Sequence, residues 1–367
     1  MSSFLIASIV LGVQIVFWIL WWVAFSGDRR KQGMQTQLPP VSIIVCAHDE
    51  EKNLRDLVPL LLQQDHPQFE VIIVEDRSND GTFDFLLEAT KSDPRLRMVR
   101  VAQTPSHING KKYAITLGVK AATYEWILFT DADCRPASAH WASTMSSYMD
   151  ESHQFVIGFS PYIKTSGLLN SFIRFETFTT AIQYAGLALL GMPYMGVGRN
   201  LAYRKSLFLN LKGFNNYLGV MGGDDDLFVN QHATRRNVAV ATGKDSITYS
   251  YPKATFKEFY YQKLRHLSVG KHYRFSHRLV LGLFALSWIL TWVAALPLVL
   301  ISTYAIWGAA LFVVRFICIE MAFRMAARKL GEPFEGWKLP FLDFIYAFYY
   351  LVAGPVAFLS KKVRWKI

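Results

Sequence analysis

At 367 residues the chain has room for a globular domain of ordinary size plus further elements, and its 52% hydrophobic against 18% charged composition leans apolar for a water-soluble protein. The 39 Lys and Arg exceed the 28 Asp and Glu by 39 − 28 = 11; because the basic clusters flank apolar runs, with no basic stripe and interleaved aromatics elsewhere, this charge points to a membrane surface and away from nucleic acid. Cys46, Cys134 and Cys318 are too scattered for metal-ligand spacing, which fits a reducing compartment and speaks against a disulfide framework.

Residues 4–25 form an uncharged apolar run with Trp18, Trp21 and Trp22 toward its end and Arg29, Arg30 and Lys31 behind it. About 20 apolar residues suffice to cross a bilayer as a helix, and interfacial Trp is expected at its edge. A retained anchor over 1–27 is therefore predicted, with its basic side and the following domain in the cytosol. A cleaved signal peptide fits worse: the run is long, nothing basic precedes it and no small-residue cleavage site follows.

After a linker at 28–40, rich in Gln and Pro toward its end, the pattern over 41–278 becomes that of an α/β domain. Short β-branched runs at 41–46, 71–74, 96–101 and 126–130 predict strands, and helical periodicity falls between them at 50–64, 83–90 and 112–121. In open parallel sheets, ligands bind beyond the carboxyl ends of the strands. Polar clusters stand at three such ends: Ala47, His48, Asp49 and Glu50; Glu75, Asp76, Arg77 and Ser78; Asp131 and Asp133. Each has a bland reading, such as an acidic helix start for Asp49 to Glu51 or a turn at Asn79-Asp80-Gly81. Those readings leave unexplained why the clusters converge on one rim.

Strand geometry points side chains two apart to the same side, so Asp131 and Asp133 face one site if the extended conformation persists. Two adjacent carboxylates repel unless a cation lies between them, and hard oxygens suit Mg²⁺ or Mn²⁺ completed by substrate phosphates. A solvated acidic loop is the competing reading.

Farther along, 155–159 is a further strand, and 168–195 is long, apolar and sparsely charged, which favours a helix in the membrane interface over buried core. Gly196-Val-Gly-Arg-Asn200 allows close backbone approach to a ligand or a tight bend. In Gly222-Gly-Asp-Asp-Asp-Leu-Phe-Val-Asn230, three carboxylates open a helix, where its dipole stabilises them. Helical rotation of about 100° per residue keeps Asp224, Asp225 and Asp226 from sharing one cleft. One of them is the candidate base.

A second interfacial stretch at 254–275 carries Gln262, Arg265 and His266, followed by Lys271, His272, Arg274, His277 and Arg278. A basic face before a membrane segment suits headgroups; diphosphate binding by a guanidinium fork competes. The histidines read as surface or interface residues rather than metal ligands. Residues 279–323 are long enough for two crossings with a break near Ser302-Thr303, and Arg315 and Glu320 within them call for a partner helix or cavity. The run at 339–360, broken by Gly354-Pro355, precedes a basic tail at 361–367. A third C-terminal crossing would carry that tail out of the cytosol, so the positive-inside tendency favours a re-entrant or interfacial segment.

These clusters, in this order, resemble the inverting family 2 glycosyltransferases, whose GT-A fold joins a Rossmann-like, mostly parallel nucleotide-binding α/β half to an acceptor-binding half. The likeness extends to membrane-anchored hyaluronan-synthase-, cellulose-synthase- and ceramide-glucosyltransferase-like members. Val41-Ser-Ile-Ile-Val-Cys-Ala-His-Asp-Glu50 resembles the family's first strand and nucleotide loop, which implicates Ala47, His48 and Glu50. Val74-Glu-Asp-Arg-Ser-Asn-Asp-Gly-Thr82 is similar to its Val-Asp-Asp-x-Ser-x-Asp-Gly-Thr pattern, implying that Asp76 contacts uracil. Gly110-Lys111-Lys112 with Ala114 resembles a Gly-Lys-x-x-Ala stretch near the nucleotide. By the same likeness, Asp133 would ligate the metal and Asp131 would sit at the ribose and donor sugar. Gly223-Asp224-Asp225 resembles the Gly-Asp-Asp segment of hyaluronan synthases, whose second carboxylate is the base, here Asp225, with Asp224 beside it. Gln262-x-x-Arg265 keeps the polar half of a Gln-x-x-Arg-Trp motif; His266 replaces its Trp and points away from processive polymer synthesis. The implied activity is transfer of a sugar from a UDP-sugar, with Mn²⁺ or Mg²⁺, to a lipid or lipid-linked acceptor at the cytosolic face of a bacterial inner membrane. A nucleotidyltransferase, which would release pyrophosphate, a processive polysaccharide synthase and a scaffold without turnover are the rival readings.

Overall fold

Runs of β-branched and aromatic residues become nine strands in the computed structural model, which describes residues 2–27, 37–105 and 108–359. Arg29, Arg30 and Lys31, most of the 28–40 linker, and Lys361, Lys362, Arg364 and Lys366 lie outside the described residues. In chain order the strands are β1 (Val41–Ala47), β2 (Phe69–Glu75), β3 (Leu96–Arg100), β4 (Trp126–Phe129), β5 (Cys134–Pro136), β6 (Phe155–Ile157), β7 (Leu201–Arg204), β8 (Val238–Val240) and β9 (Thr248–Ser250).

The chain divides into an α/β unit, Arg29–Ile163 with Gly191–Pro252, and a helical unit, Met1–Asp28 with Lys164–Leu190 and Lys253–Ile367. In the α/β unit seven strands form one sheet in the order β3-β2-β1-β4-β7-β6-β8, while β5 and β9 pair separately. β1, β2, β3 and β4 run parallel, and β7 is antiparallel to both β4 and β6. Both faces of β1, β2 and β4 are covered, so these strands read as largely apolar runs rather than alternating ones, whereas the edge strand β3 carries Arg97 and Arg100. One face packs Val41, Ile43, Val45, Val71 and Ile73 against Leu54, Leu57, Val58 and Leu61 of helix Glu51–Leu62. Helix Gly110–Ala121 covers the other face at Gly118, where a Cβ would stand 2.9 Å from both Ile44 Cγ2 and Val74 Cγ2.

Register decides what stands at the rim. Ala47 pairs with Glu75, and Phe129 pairs with Ile44, so the carboxyl ends of β2, β1 and β4 open side by side. The backbone N–H of Asp76 donates to the Ala47 carbonyl at 2.8 Å and carries the ladder one residue farther.

Among the described residues, the helical unit holds four helices long and apolar enough to cross a membrane: Ser3–Ser26, Phe275–Leu300, Ala305–Leu330 and Gly336–Leu359. The second passes through a π turn at Thr291–Ala295. Arg315 finds the partner its burial demands: its guanidinium grips both carboxylate oxygens of Asp343, at 2.8 and 3.0 Å, and donates to Gln14 Oε1 at 3.3 Å. Trp292 Nε1 donates to the same carboxylate at 2.9 Å.

Two expectations change here. Leu339–Leu359 is one continuous helix, without the break expected at Gly354-Pro355; Pro355 lies in its last turns, where one lost backbone bond is tolerated. Leu168–Leu189 belongs to the helical unit and is buried along most of its length, with Phe175 stacked on Phe323 and Gly186 against Trp21. Lacking a polar stripe, it has no face to offer headgroups and packs as core instead. Glu176, its buried charge, pairs with Lys263 of helix Phe256–Val269.

Candidate active site

Two loops at the rim are stitched together by the residues whose bland reading was turn chemistry. Asp49 Oδ1 accepts from Asn79 N at 2.6 Å, Ser78 Oγ from Asp49 N at 3.1 Å, Thr82 Oγ1 from Glu50 N at 2.9 Å and Asp80 Oδ2 from Glu51 N at 3.1 Å. Asp49 and Arg77 adopt positive φ, 55° and 57°, the kind of strained backbone that collects at ligand sites. Ala47 is buried at the end of β1. His48 Nδ1 donates to the Asp76 carbonyl at 2.5 Å. Glu50 Oε2 accepts from Asn53 Nδ2 at 2.6 Å, and the Asp76 carboxylate holds Arg77 Nε at 2.8 Å.

Helix Gly110–Ala121 begins beside Asp76, since a Cβ on Gly110 would stand 3.3 Å from Asp76 Oδ2 and 3.2 Å from the Arg77 guanidinium. Asn109 caps it, its Oδ1 accepting from Lys111 N at 3.1 Å and Lys112 N at 3.4 Å. The cap aims Lys111 across the rim, where its Nζ lies 3.1 Å from Asp131 Oδ1 and 3.7 Å from Asp224 Oδ2. Carboxylates 93 residues apart in sequence thus share one ammonium. Burial works against that charge, but Asp131, Asp224 and Asp225 outweigh it and hold Lys111 well above the ordinary lysine range. Cys46 reports the same convergence from the last turn of β1: burial pushes its thiol up to about 12, opposed by Lys111 and helped by Asp131, Asp224 and Asp76.

Of the three carboxylates after Gly223, only Asp226 lies within the helix Asp226–His232, with Asp225 as its cap, while Asp224 and Asp225 both act on Lys111. Asp224 turns to Lys111, and Asp226 is buried in the first turn of Asp226–His232. Asp225 caps that helix, its Oδ1 accepting from Asp226 N at 2.8 Å and its Oδ2 from Gly198 N at 2.6 Å. Gly198 permits this approach because a Cβ there would stand 3.2 Å from Asp225 Oδ2. Burial and the neighbouring Asp224 raise the Asp225 carboxyl to about 6, against the pull of Lys111 and the two backbone donors. Asn230 has a structural role, donating to the Tyr194 carbonyl at 2.8 Å.

Asp133 follows Asp131 on the same turn, and its Oδ1 lies 3.6 Å from Cys134 Sγ. Among the described residues, no three His, Cys, Asp or Glu side chains gather as a metal cage, and Asp131 already engages Lys111. The residues present fit a cation held by Asp133 and completed by substrate phosphates, the usual habit of Mg²⁺ sites.

Two cations that the sequence showed only as members of longer motifs, with no role of their own, enter here. Lys112, buried, donates its Nζ to the carbonyls of Tyr217 at 2.7 Å and Val220 at 2.5 Å, and so anchors the segment leading into Asp224 and Asp225. Burial lowers it to about 8 although Asp224 and Asp225 pull the other way. Arg199 stacks over Tyr162 at 4.7 Å, donates to the Ser160 carbonyl at 3.2 Å, and is held above its ordinary range, against burial, by Tyr162, Cys134, Asp133 and Asp131. A Lys pair after Gly and an Arg after Gly-Val-Gly were the available signals. Gln262 and Arg265 lie on Phe256–Val269 in the helical unit, started by a capping box between Thr255 and Glu258.

Residues 42–209 match the model of glycosyl transferase family 2. The chain is 24% identical over 249 residues to a 4,4'-diaponeurosporenoate glycosyltransferase from Staphylococcus haemolyticus, covering 67% of this chain and 65% of that one. It is 34% identical over 119 residues to a beta-monoglucosyldiacylglycerol synthase from Trichormus variabilis, covering 32% and 25%. The chain spans about half to two thirds of the length of the first curated relatives it matches. Among solved structures, the mannosyltransferase PcManGT from Pyrobaculum calidifontis, in complex with GDP-Man and Mn²⁺, superposes with a TM-score of 0.60 at 16% identity over 98% of this chain and 99% of that one. That likeness concerns the fold, a mostly parallel GT-A sheet accompanied by apolar helices at both ends of the chain. The chain thus carries, at residues 42–209, a region that matches glycosyl transferase family 2.

Proposed function

We propose that this protein transfers a sugar from a nucleotide sugar, of the UDP class, to a lipid or lipid-linked acceptor at the cytosolic face of a bacterial inner membrane, inverting the anomeric centre and adding one sugar per acceptor. The observation that carries the reading is Lys111, whose ammonium draws Asp131 at the end of β4 toward Asp224 of the second acidic segment.

In this mechanism Asp225 takes the proton from the acceptor hydroxyl as that oxygen attacks the anomeric carbon; a carboxyl near 6 is ionised at neutral pH and still basic enough for the task. Asp76, with Ala47, His48 and Glu50, receives the nucleoside, and Asp131 and Lys111 orient the ribose and sugar. Asp133 would hold Mn²⁺ or Mg²⁺, which supplies charge neutralisation at the departing diphosphate. Arg199 adds fixed positive charge at the same carboxylates, where preorganised cations act without reorganisation. The relatives' names, one with diaponeurosporenoate and one with diacylglycerol, support an apolar acceptor, as do the four apolar helices.

The test is a screen of UDP-, GDP- and dTDP-sugars with a membrane lipid extract, following nucleotide release and lipid mass with and without Mn²⁺. Release from a UDP-sugar that depends on both lipid and Mn²⁺ is expected. Pyrophosphate release, or no turnover with any donor, overturns the proposal.

A further inference from the structure

Helices Leu168–Leu189 and Leu339–Leu359 begin around an open cavity of about 460 Å³ that Glu335, Trp337 and Lys338 of the preceding connection help to line. Lys164, Ser171 and Lys338 line its polar side, and Leu168, Trp337 and Phe341 its apolar side. Lys164 and Lys338 both pair with Glu335, and Lys338 Nζ donates to Ser171 Oγ at 3.0 Å. The two ammoniums hold the Glu335 carboxyl down at about 2, so it stays ionised and the trio keeps one net positive charge. Arg174, also on the wall, is matched by Glu332 at 3.1 Å and leaves that balance unchanged.

The depth of the cavity can be read from its neighbours. A Cβ on Gly336 would stand 2.5 Å from Glu320 Oε1, so the start of the last helix lies level with Glu320, which pairs with Arg324 at 2.6 Å. Five residues farther in, about 7 to 8 Å along the helix, Arg315 is sealed against Asp343. The cavity therefore sits where charged surface gives way to apolar surface. Trp337 is 80% exposed beside Lys338, with Phe341 and Leu168 also exposed; a tryptophan and lysines at that level mark a membrane boundary.

We propose that this cavity binds an anionic phospholipid, its phosphate on Lys164 and Lys338 and its glycerol and upper acyl chain on Trp337, Phe341 and Leu168. The site rests on the membrane placement above and is independent of the transfer reaction, because its readout is lipid contact rather than turnover.

The full chain is reconstituted in phosphatidylcholine nanodiscs containing a small fraction of dibrominated phosphatidylglycerol or, in parallel, dibrominated phosphatidylcholine. Bromine quenches nearby tryptophan, and Trp337→Phe isolates the share of Trp337. Brominated phosphatidylglycerol should quench Trp337 in preference, by roughly fivefold per lysine contact. Combining Lys164→Gln with Lys338→Gln should abolish the preference, while Glu335→Gln, which removes the shared counter-charge, should enlarge it. The Glu335 variant carries the test if the double variant does not fold. Equal quenching by both lipids, a preference that survives loss of both lysines, or one unchanged in Glu335→Gln overturns the proposal. Displacement of the lipid by excess glycerol phosphate assigns the cavity to a soluble phosphate and overturns it equally.

Discussion

Asp225 holds an uncommon position for a carboxylate, with two backbone donors on it and a net upward shift nonetheless. The donors and Lys111 favour its charge, yet burial and Asp224 prevail. General-base help is typically worth about 10²- to 10⁴-fold, so Asp225→Asn should lose that much in kcat while nucleotide affinity, measured by calorimetry, is retained. Wild-type turnover in this variant removes Asp225 from its role. The same balance predicts a pH signature: the base works only when ionised, so kcat/KM should rise with pH through about 6. Asp224→Asn deletes a like charge and should move that limb to lower pH; Lys111→Met deletes a cation and should move it to higher pH. Limbs that stay in place, or move in the opposite senses, contradict the assignment. Asp131, Asp133, Asp224 and Asp225 were picked out in the sequence because carboxylates at strand ends and helix starts stand out by position, and the fold brings Asp131, Asp224 and Asp225 around Lys111. Lys111 as the shared counter-ion was not legible, because its partners lie 20 and 113 residues away and only the fold sets those distances.

At the scale of elements, continuous apolar runs marked β1, β2 and β4 in the sequence, since a strand covered on both faces needs no polar alternation. Helix Leu168–Leu189 was misplaced for the converse reason: burial on every side and residence in an interface both read as a long apolar run until a neighbour is known. Arg315 demanded a partner, but nothing in one sequence selects Asp343, 28 residues on. Removing one member of a buried ion pair strands the other and typically costs about 3–5 kcal/mol, whereas replacing both with apolar residues is close to neutral. Arg315→Leu alone should therefore lower the unfolding midpoint in detergent sharply, and Arg315→Met combined with Asp343→Leu should recover most of the loss. If the double variant is no better than the single one, Gln14 and Trp292 depend on the pair for more than charge balance.

For the whole molecule, the resemblance was legible because its landmarks stand in order from Val41 to Arg265, and the family model matches residues 42–209, whereas the acceptor was not legible, being chosen by surfaces assembled from distant segments. The proposal of a single transfer draws on the four long apolar helices among the described residues and on His266, where the resemblance leads one to expect Trp. Mass spectrometry of lipid products should accordingly show a single added sugar; a ladder of longer products would contradict the one-sugar reading.

The path of the chain has a practical corollary. It passes between its two units four times, and 164–190 is a loan from the middle of the α/β sequence to the helical unit. Trimming both termini would therefore not yield a soluble enzyme, because Leu168–Leu189 would remain with its apolar sides bare and invite aggregation. A water-soluble version has to excise that insert as well and rejoin Ile163 to Gly191 with a polar bridge, and limited proteolysis at either end should leave the catalytic fragment sedimenting with the membrane.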